Sequence, residues 1–332
     1  MRNELIGIEN RDGERRFVAF TEDIDPAGLA PGELLVAVRA VSVNPVDTKL
    51  AAGVEAGAAR PTVLGFDAAG EVVAAGDGVQ DFRPGDAVYY AGVLKRDGTF
   101  ARYHRIDARL VARKPATLDF AQAAAFPLVG ITAWESLFDH LGVRAPADAG
   151  RRLLVINGAG GVGSVAIQLG RLAGLAVLAT AGRDESRAWC EALGARVVDR
   201  RRPLREQLDG EVDCILCAHD TNTWFDTMAE CIAPRGRIVA LVSASAPLDM
   251  NRLKNKSAAF CWEFMFTRSL YDTGERAAIG RLLTDLARWI DAGLIRPIDH
   301  ERLQGLTPDN LQRAFDRVAA GELIGKLVLT VD

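Results

Sequence analysis

The clearest alternation of apolar and polar positions lies at residues 153–185. Leu153, Leu154, Val155 and Ile156 form an unbroken apolar run that ends in a glycine cluster. Such a run suits a strand buried on both faces rather than one with a solvent face. Val162, Val165, Ala166, Leu169 and Leu172 then recur at helical spacing, with Gly174 placed as a stop. A second apolar run, Ala176–Ala181, follows. Strand, helix and strand in this order predict one right-handed βαβ unit. The runs Val212–Cys217 and 237–242, the second introduced by the turn Pro234-Arg235-Gly236, predict further strands of a doubly wound parallel sheet.

The first third of the chain follows a different pattern. Residues 34–41, 69–74 and 82–89 read as short strands separated by Pro31-Gly32, Gly76-Asp77-Gly78 and Pro84-Gly85, which predicts a small barrel. After residue 267 come two helical patterns, 276–292 and 308–320, and a last strand at 326–331. These are too few for a third domain, so they are expected to return and complete the first. The prediction is an α/β chain with one domain from 1–123 and 267–332 and a second from 124–266.

Composition narrows the function classes. A length of 332 residues accommodates two domains, each with its own core. No apolar run reaches the roughly 18 residues that span a bilayer, and Met1-Arg2-Asn3-Glu4 does not open a signal peptide. A soluble, cytoplasmic protein without membrane partners is expected. A formal net charge of −4 removes any global case for nucleic acid, and Arg200-Arg201-Arg202 reads as a solvated loop. The five cysteines are odd in number and set among apolar residues, which predicts reduced core thiols. Cys214 and Cys217 lie inside a strand pattern and do not read as a redox or zinc pair.

The glycine cluster carries the chemistry. Gly158, Gly160 and Gly163 fit G-x-G-x-x-G between the strand and the helix, with Gly161 and Val162 at the helix start. Such a turn lets the backbone approach a pyrophosphate and offers it the helix's unpaired N–H groups. Dinucleotide folds specific for NAD place a carboxylate at the end of the second strand to receive the ribose hydroxyls. This chain has Gly182-Arg183 there. A guanidinium suits a 2′-phosphate, so NADP(H) is the predicted cofactor. Asp184 and Glu185 leave open the alternative that an acid turns back to the ribose.

With these residues in view, the chain resembles the medium-chain dehydrogenase/reductase superfamily. Within it, the chain is similar to the zinc-free quinone oxidoreductase-like enzymes, including the subfamily labelled zinc-type alcohol dehydrogenase-like. The carrying segments are Val43-Asn44-Pro45-Val46-Asp47, Gly65-Phe66-Asp67-Ala68-Ala69-Gly70, Pro84-Gly85-Asp86-Ala87-Val88, Ala123-Ala124-Ala125-Phe126-Pro127-Leu128 and Gly130-Ile131-Thr132-Ala133-Trp134. To these are added the glycine turn, Trp262-Glu263-Phe264-Met265-Phe266-Thr267-Arg268 and Gly325-Lys326-Leu327-Val328. The resemblance implies an N-terminal GroES-like barrel joined to a Rossmann domain. It departs from the zinc alcohol dehydrogenases where Asn44 stands for a ligand cysteine and Phe66-Asp67 for a His-Glu pair. Residues 91–99 also lack the structural-zinc cysteines. No metal is expected, because an amide and a phenyl ring are not a zinc donor set.

The resemblance further implies that Asn44 and Thr132 stand beside the nicotinamide, where they orient the ribose, the carboxamide or a substrate oxygen. It assigns Gly325 and Lys326 to the segment that closes on the cofactor. Tyr90, Trp262, Phe264 and Phe266 are implied near the substrate, with Tyr90 as the candidate proton donor. The residues also admit plainer roles: Asn44 as a turn former before proline, Lys326 as an exposed strand-edge lysine, and the aromatics as core. A homodimer through 257–264 is implied by the family. Three functions fit: an NADPH-dependent quinone reductase, a reductase of enal or enone double bonds, and a non-catalytic NADPH-binding or crystallin-like protein.

Overall fold

The computed structural model describes residues 1–331 apart from Asp272. The chain forms two units: Met1–Leu128 with Phe266–Gly293 and Pro297–Asp332, and Val129–Met265 with Leu294–Arg296. The first unit keeps five more residues at its first boundary than the sequence pattern assigned. The helix Phe120–Ala124 is capped by Asp119, which accepts from the Gln122 N–H at 2.7 Å, and it belongs with the barrel strands.

The first unit is the GroES-like fold. Its main sheet runs Asp299–Leu303, Lys326–Thr330, Glu33–Ser42, Asp67–Ala75, Ala87–Ala91 and Val111–Arg113, and Tyr103–Asp107 also pairs with Glu33–Ser42. The Glu33–Ser42 strand is the axis, since its apolar residues Leu34, Leu35, Val36, Val38, Ala40 and Val41 are all buried. The C-terminal strand does return: it lies antiparallel to that axis with Val328 opposite Ser42, and Asp67 lies opposite Ser42 on the other side. This register sets Ser42, Asp67 and the start of the last strand side by side. An N-terminal hairpin, Arg2–Arg11 with Glu14–Asp23, was not anticipated; its turn uses Asp12 and Gly13 at positive φ. The run 82–89 is a strand only from Ala87, because Asp86 accepts from the Arg83 N–H and Gly85 has φ 93°.

The second unit is the Rossmann fold, a six-stranded parallel sheet. Its order is Arg196–Asp199, Ala176–Ala181, Arg152–Ile156, Val212–Cys217, Ile232–Ala240, Ala259–Trp262. The inner strands Arg152–Ile156, Ala176–Ala181 and Val212–Cys217 are buried along most of their length, as their apolar runs predicted; Leu154, Ile156, Ile215, Cys217, Ile238 and Ala240 share one cluster with Phe225 and Met228. The predicted turn at Pro234-Arg235-Gly236 is absorbed into the Ile232–Ala240 strand, with Arg235 at φ 63°. Before the first strand, the helix Pro127–Trp134 continues as a π-helical turn, Glu135–His140. Cys190, Cys214, Cys217 and Cys231 are buried free thiols, and Cys261 is half-buried and free.

Candidate functional site

In the second unit the glycine cluster follows the strand Arg152–Ile156 and opens the helix Gly161–Leu172, with Gly160 as its N-cap. Asn157 anchors the turn. It adopts φ 69°, its N–H donates to Thr180 Oγ1 at 2.9 Å, and its side-chain amide donates to the Ala218 carbonyl at 3.2 Å. It thus ties the turn to the ends of both neighbouring strands. Gly163 has no alternative: a Cβ there would lie 2.4 Å from the Asn157 carbonyl oxygen and 2.6 Å from that of Gly158. The Gly161, Val162 and Gly163 N–H groups fall in the first turn of the helix, where no intrahelical acceptor exists. This is the cradle a pyrophosphate requires, so the residues present fit a dinucleotide.

The strand Ala176–Ala181 ends in Gly182 and Arg183. Arg183 is exposed and caps the helix Asp184–Ala192, with its backbone N–H donating to Ser186 Oγ at 3.1 Å. Thr132 is buried in the helix Pro127–Trp134. Trp262 and Phe264 are exposed, at 45% and 47%, at the end of the sheet's edge strand. Between them Glu263 turns inward, and its Oε2 meets His140 Nε2 at 2.7 Å.

In the first unit the structure brings Asn44 and Lys326 together in a buried ionic network. Lys326 Nζ donates to Asn44 Oδ1 at 2.5 Å, to Asp67 Oδ2 at 3.1 Å and to the Val43 carbonyl at 3.2 Å. Asn44 Nδ2 donates to the same Asp67 oxygen at 2.8 Å, and Ser42 Oγ does so at 2.6 Å. The Leu128 N–H serves the other Asp67 oxygen at 2.7 Å. These partners fix the orientation of the Asn44 amide, because a flipped amide would set N–H against ammonium and oxygen against carboxylate. Lys326 is 4% exposed, which overturns the reading of it as a strand-edge lysine. Asn44 also precedes Pro45 at the start of the helix Pro45–Ala52, so its backbone forms the turn while its side chain serves the network.

Asp47 completes the cluster. Its two oxygens accept from the Asn44 and Gly65 N–H groups at 2.8 and 3.1 Å. Burial pushes its carboxyl up to about 7; the Asn44 N–H and the Lys326 charge pull against the rise, and the Asp67 charge adds to it. Gly65 must be glycine, since it sits at φ 99° and a Cβ would lie 2.6 Å from the Phe100 ring. Sequence reasoning assigned no role to Ser42, Asp47 or Asp67. The available signal was a set of polar residues at positions flanked by buried apolar ones, in Val41-Ser42-Val43-Asn44 and Phe66-Asp67-Ala68.

Tyr90 is placed elsewhere in this unit. It is fully buried, stacked on His104, and its hydroxyl lies 3.1 Å from His104 Nδ1. His104 Nε2 faces the Asp97 carbonyl, which can only accept, so Nδ1 accepts from the phenol. Burial raises the phenol pKa further and holds the imidazole neutral, at about 4. With its hydrogen committed to His104, the Tyr90 geometry argues against a proton-donor role. Phe266 is likewise core, 4.6 Å from the Phe66 ring. Gly325 is buried at φ 56° and delivers Lys326 to the network.

The donor set at these positions does not suit zinc. Asn44 and Asp67 are saturated by Lys326, Ser42 and the Leu128 N–H, Phe66 offers only a ring, and a buried ammonium would repel a divalent cation. Among the described residues, no three His, Cys, Asp or Glu side chains converge as a metal site.

Two folds, a glycine cradle and a buried ionic network together define a dinucleotide-binding oxidoreductase architecture. Residues 30–116 match the alcohol dehydrogenase GroES-like domain, and 193–329 the zinc-binding dehydrogenase family. A zinc-type alcohol dehydrogenase-like protein of Staphylococcus aureus is 40% identical over 90% of this chain and 91% of its own. An NADPH-dependent alkenal/one oxidoreductase of Arabidopsis thaliana is 37% identical over 90% of this chain and 72% of its own. A solved Rhizobium etli structure, assigned to the zinc-dependent alcohol dehydrogenases, superposes with TM-score 0.92 at 38% identity, covering 100% of this chain and 99% of that one. The chain belongs to the medium-chain dehydrogenase/reductase superfamily, whose members are nicotinamide-dependent oxidoreductases, and within it to the zinc-type alcohol dehydrogenase-like proteins.

Proposed function

We propose that this protein is an NADPH-dependent, zinc-independent reductase that passes hydride to an electron-poor conjugated carbonyl, a quinone in the first instance. The observation that carries the proposal is the Lys326–Asn44–Asp67 network, in which a lysine ammonium binds both the amide at the position of a ligand cysteine and the carboxylate at the position of the His-Glu pair. Without a Lewis acid to polarise it, a saturated carbonyl is a poor acceptor, whereas a quinone or enone stabilises the incoming charge through its own conjugation. The bound nicotinamide supplies the hydride. The glycine turn would hold the pyrophosphate, the basic end of the second strand favours a 2′-phosphate, and Thr132, in the same unit, would orient the nicotinamide end.

A second reading, reduction of an alkenal or enone double bond, is favoured by the Arabidopsis relative's named activity. Both readings need the same cofactor and differ only in the acceptor. We extend the proposal to a homodimer, because the Ala259–Trp262 strand ends the sheet, with Trp262 at its end and Phe264 just beyond it both exposed; light scattering should give twice the chain mass. The functional test is NADPH oxidation with a para-quinone and with a 2-alkenal. Turnover with either supports a reductase, and the faster one names the acceptor. NADPH binding without turnover on any acceptor would instead support the non-catalytic alternative.

A further inference from the structure

We infer that Arg200 is the principal discriminator of a 2′-phosphorylated cofactor, and that position 182 is glycine so that the Arg200 side chain can cross it. The inference rests on the NADP(H) reading and concerns which residue carries it.

Asp199 lies opposite Ala181 in the parallel register, so Arg200 leaves its strand beside Gly182. The Arg200 N–H donates to the Ala181 carbonyl at 3.1 Å. A Cβ on Gly182 would lie 2.7 Å from Arg200 Nε, 3.2 Å from its Cγ and 3.3 Å from its Cδ. Gly182 is not in the left-handed region, so backbone conformation does not demand glycine there. What a side chain there would displace is the arginine lying across it.

The charges nearby leave this guanidinium available. The one carboxylate on its own strand, Asp199, is taken by Arg201, with Nε to Oδ1 at 3.0 Å and a terminal nitrogen to Oδ2 at 2.9 Å. That pairing holds the Asp199 carboxyl down at about 2. Arg200 itself makes no side-chain hydrogen bond or ion pair among the described residues. Its charge is felt by His219, beyond the end of the Val212–Cys217 strand, whose pKa is lowered first by burial and then by Arg200. The guanidinium therefore sits over the carboxyl-terminal edge of the sheet, on the same side as the glycine turn. Arg183, by contrast, is exposed, is followed by Asp184 and Glu185, and already has an interaction of its own. A guanidinium that lies across Gly182 and has no side-chain partner among the described residues gives up no hydrogen bond on meeting a phosphate.

The ligand group is the dianionic phosphate on the adenosine 2′-oxygen, met by a planar fork of N–H donors. The test uses the full-length protein, titrated calorimetrically with 2′,5′-ADP and with 5′-AMP, which differ only in that phosphate. Arg200→Ala should weaken 2′,5′-ADP by about 10- to 100-fold and 5′-AMP by less than about twofold. Arg183→Ala should cost less than Arg200→Ala. Gly182→Ala retains both arginines yet displaces the Arg200 side chain, and it should also weaken 2′,5′-ADP selectively, by about 3- to 10-fold. Thermal melts establish that each variant is folded; Arg200 is exposed, so its variant should melt as the wild type does. Unchanged 2′,5′-ADP binding by folded Arg200→Ala would overturn the inference. Equal losses for both probes would overturn it too, by assigning Arg200 to the adenine. A wild type that binds the two probes equally would overturn the NADP(H) reading itself, and is distinguishable because it precedes any substitution.

Discussion

Replacing Lys326 by methionine tests the ionic network at its centre. The substitution keeps most of the side chain's length and removes three hydrogen bonds, to Asn44 Oδ1, Asp67 Oδ2 and the Val43 carbonyl. The Lys326 and Asp67 side chains are 5% and 0% exposed, so water cannot replace the lost partner without a rearrangement. Removing one member of a buried ion pair typically costs about 3–5 kcal/mol, because the remaining charge is stranded. Asp67 would retain Ser42 Oγ, Asn44 Nδ2 and the Leu128 N–H, which argues for the lower part of that range. For a domain of this size about 3–5 kcal/mol lowers the melting temperature by roughly 6–20 °C. Urea denaturation followed by circular dichroism, with calorimetry alongside, measures both quantities. Adding Asp67→Asn to the Lys326→Met variant removes the stranded charge and should recover at least part of the loss. A loss below about 1 kcal/mol for Lys326→Met, or no coupling in the double variant, would refute the reasoning, since values that small belong to exposed pairs.

Two further expectations follow from the same site. Asp47, with its native carboxyl raised from 3.8 to about 7, binds more protons folded than unfolded between those values; its contribution to stability is therefore fully present below about pH 4, falls as pH rises to about 7 and is flat above. The span is at most about 4 kcal/mol, and Asp47→Asn should remove it, so a wild-type-minus-variant stability difference that stays constant from pH 4 to pH 8 would count against the raised carboxyl. Zinc should be present well below one equivalent in the purified protein, and strong chelators should leave turnover intact; stoichiometric zinc whose removal abolishes activity would contradict the role given to Asn44, Phe66 and Lys326.

The parts of the molecule legible in the sequence are those with local causes. Leu153 to Ile156 are apolar because the strand is covered on both faces, and Gly163 is glycine because two carbonyls crowd it. Both facts are written within a few residues of chain. The network is different in kind. Lys326 meets Asn44 and Asp67 across separations of 282 and 259 residues, and only the pairing of Val328 with Ser42 brings them together. A lysine at the start of a strand is commonly an edge lysine, and nothing local marks this one as buried. Asn44 was singled out through family resemblance, but the reason its amide has a fixed orientation lies in partners distant in sequence. Tyr90 shows the converse failure. Resemblance put it in a segment of interest, while its alternation within Ala87–Ala91 could not reveal that His104 would receive its hydroxyl. Arg200 was hidden in a run of three arginines that read as one solvated loop. Arg201 is exposed and pairs with Asp199 as a surface arginine does. Arg200 is told apart only by the bare Cα of Gly182 across which it lies.

The central claim is hydride transfer to a conjugated acceptor without metal. Its most direct measurement is a comparison of kcat/KM for NADPH oxidation by a quinone, a 2-alkenal and the corresponding saturated aldehyde, made on enzyme treated with a strong chelator and verified to be metal-free. The account predicts that the quinone or the 2-alkenal turns over at least about 100-fold faster than the saturated aldehyde, the scale of a missing transition-state charge stabiliser, and that the ratio is the same before and after chelation. Comparable rates for the saturated aldehyde, or activity that vanishes with the metal and returns with added zinc, would contradict it.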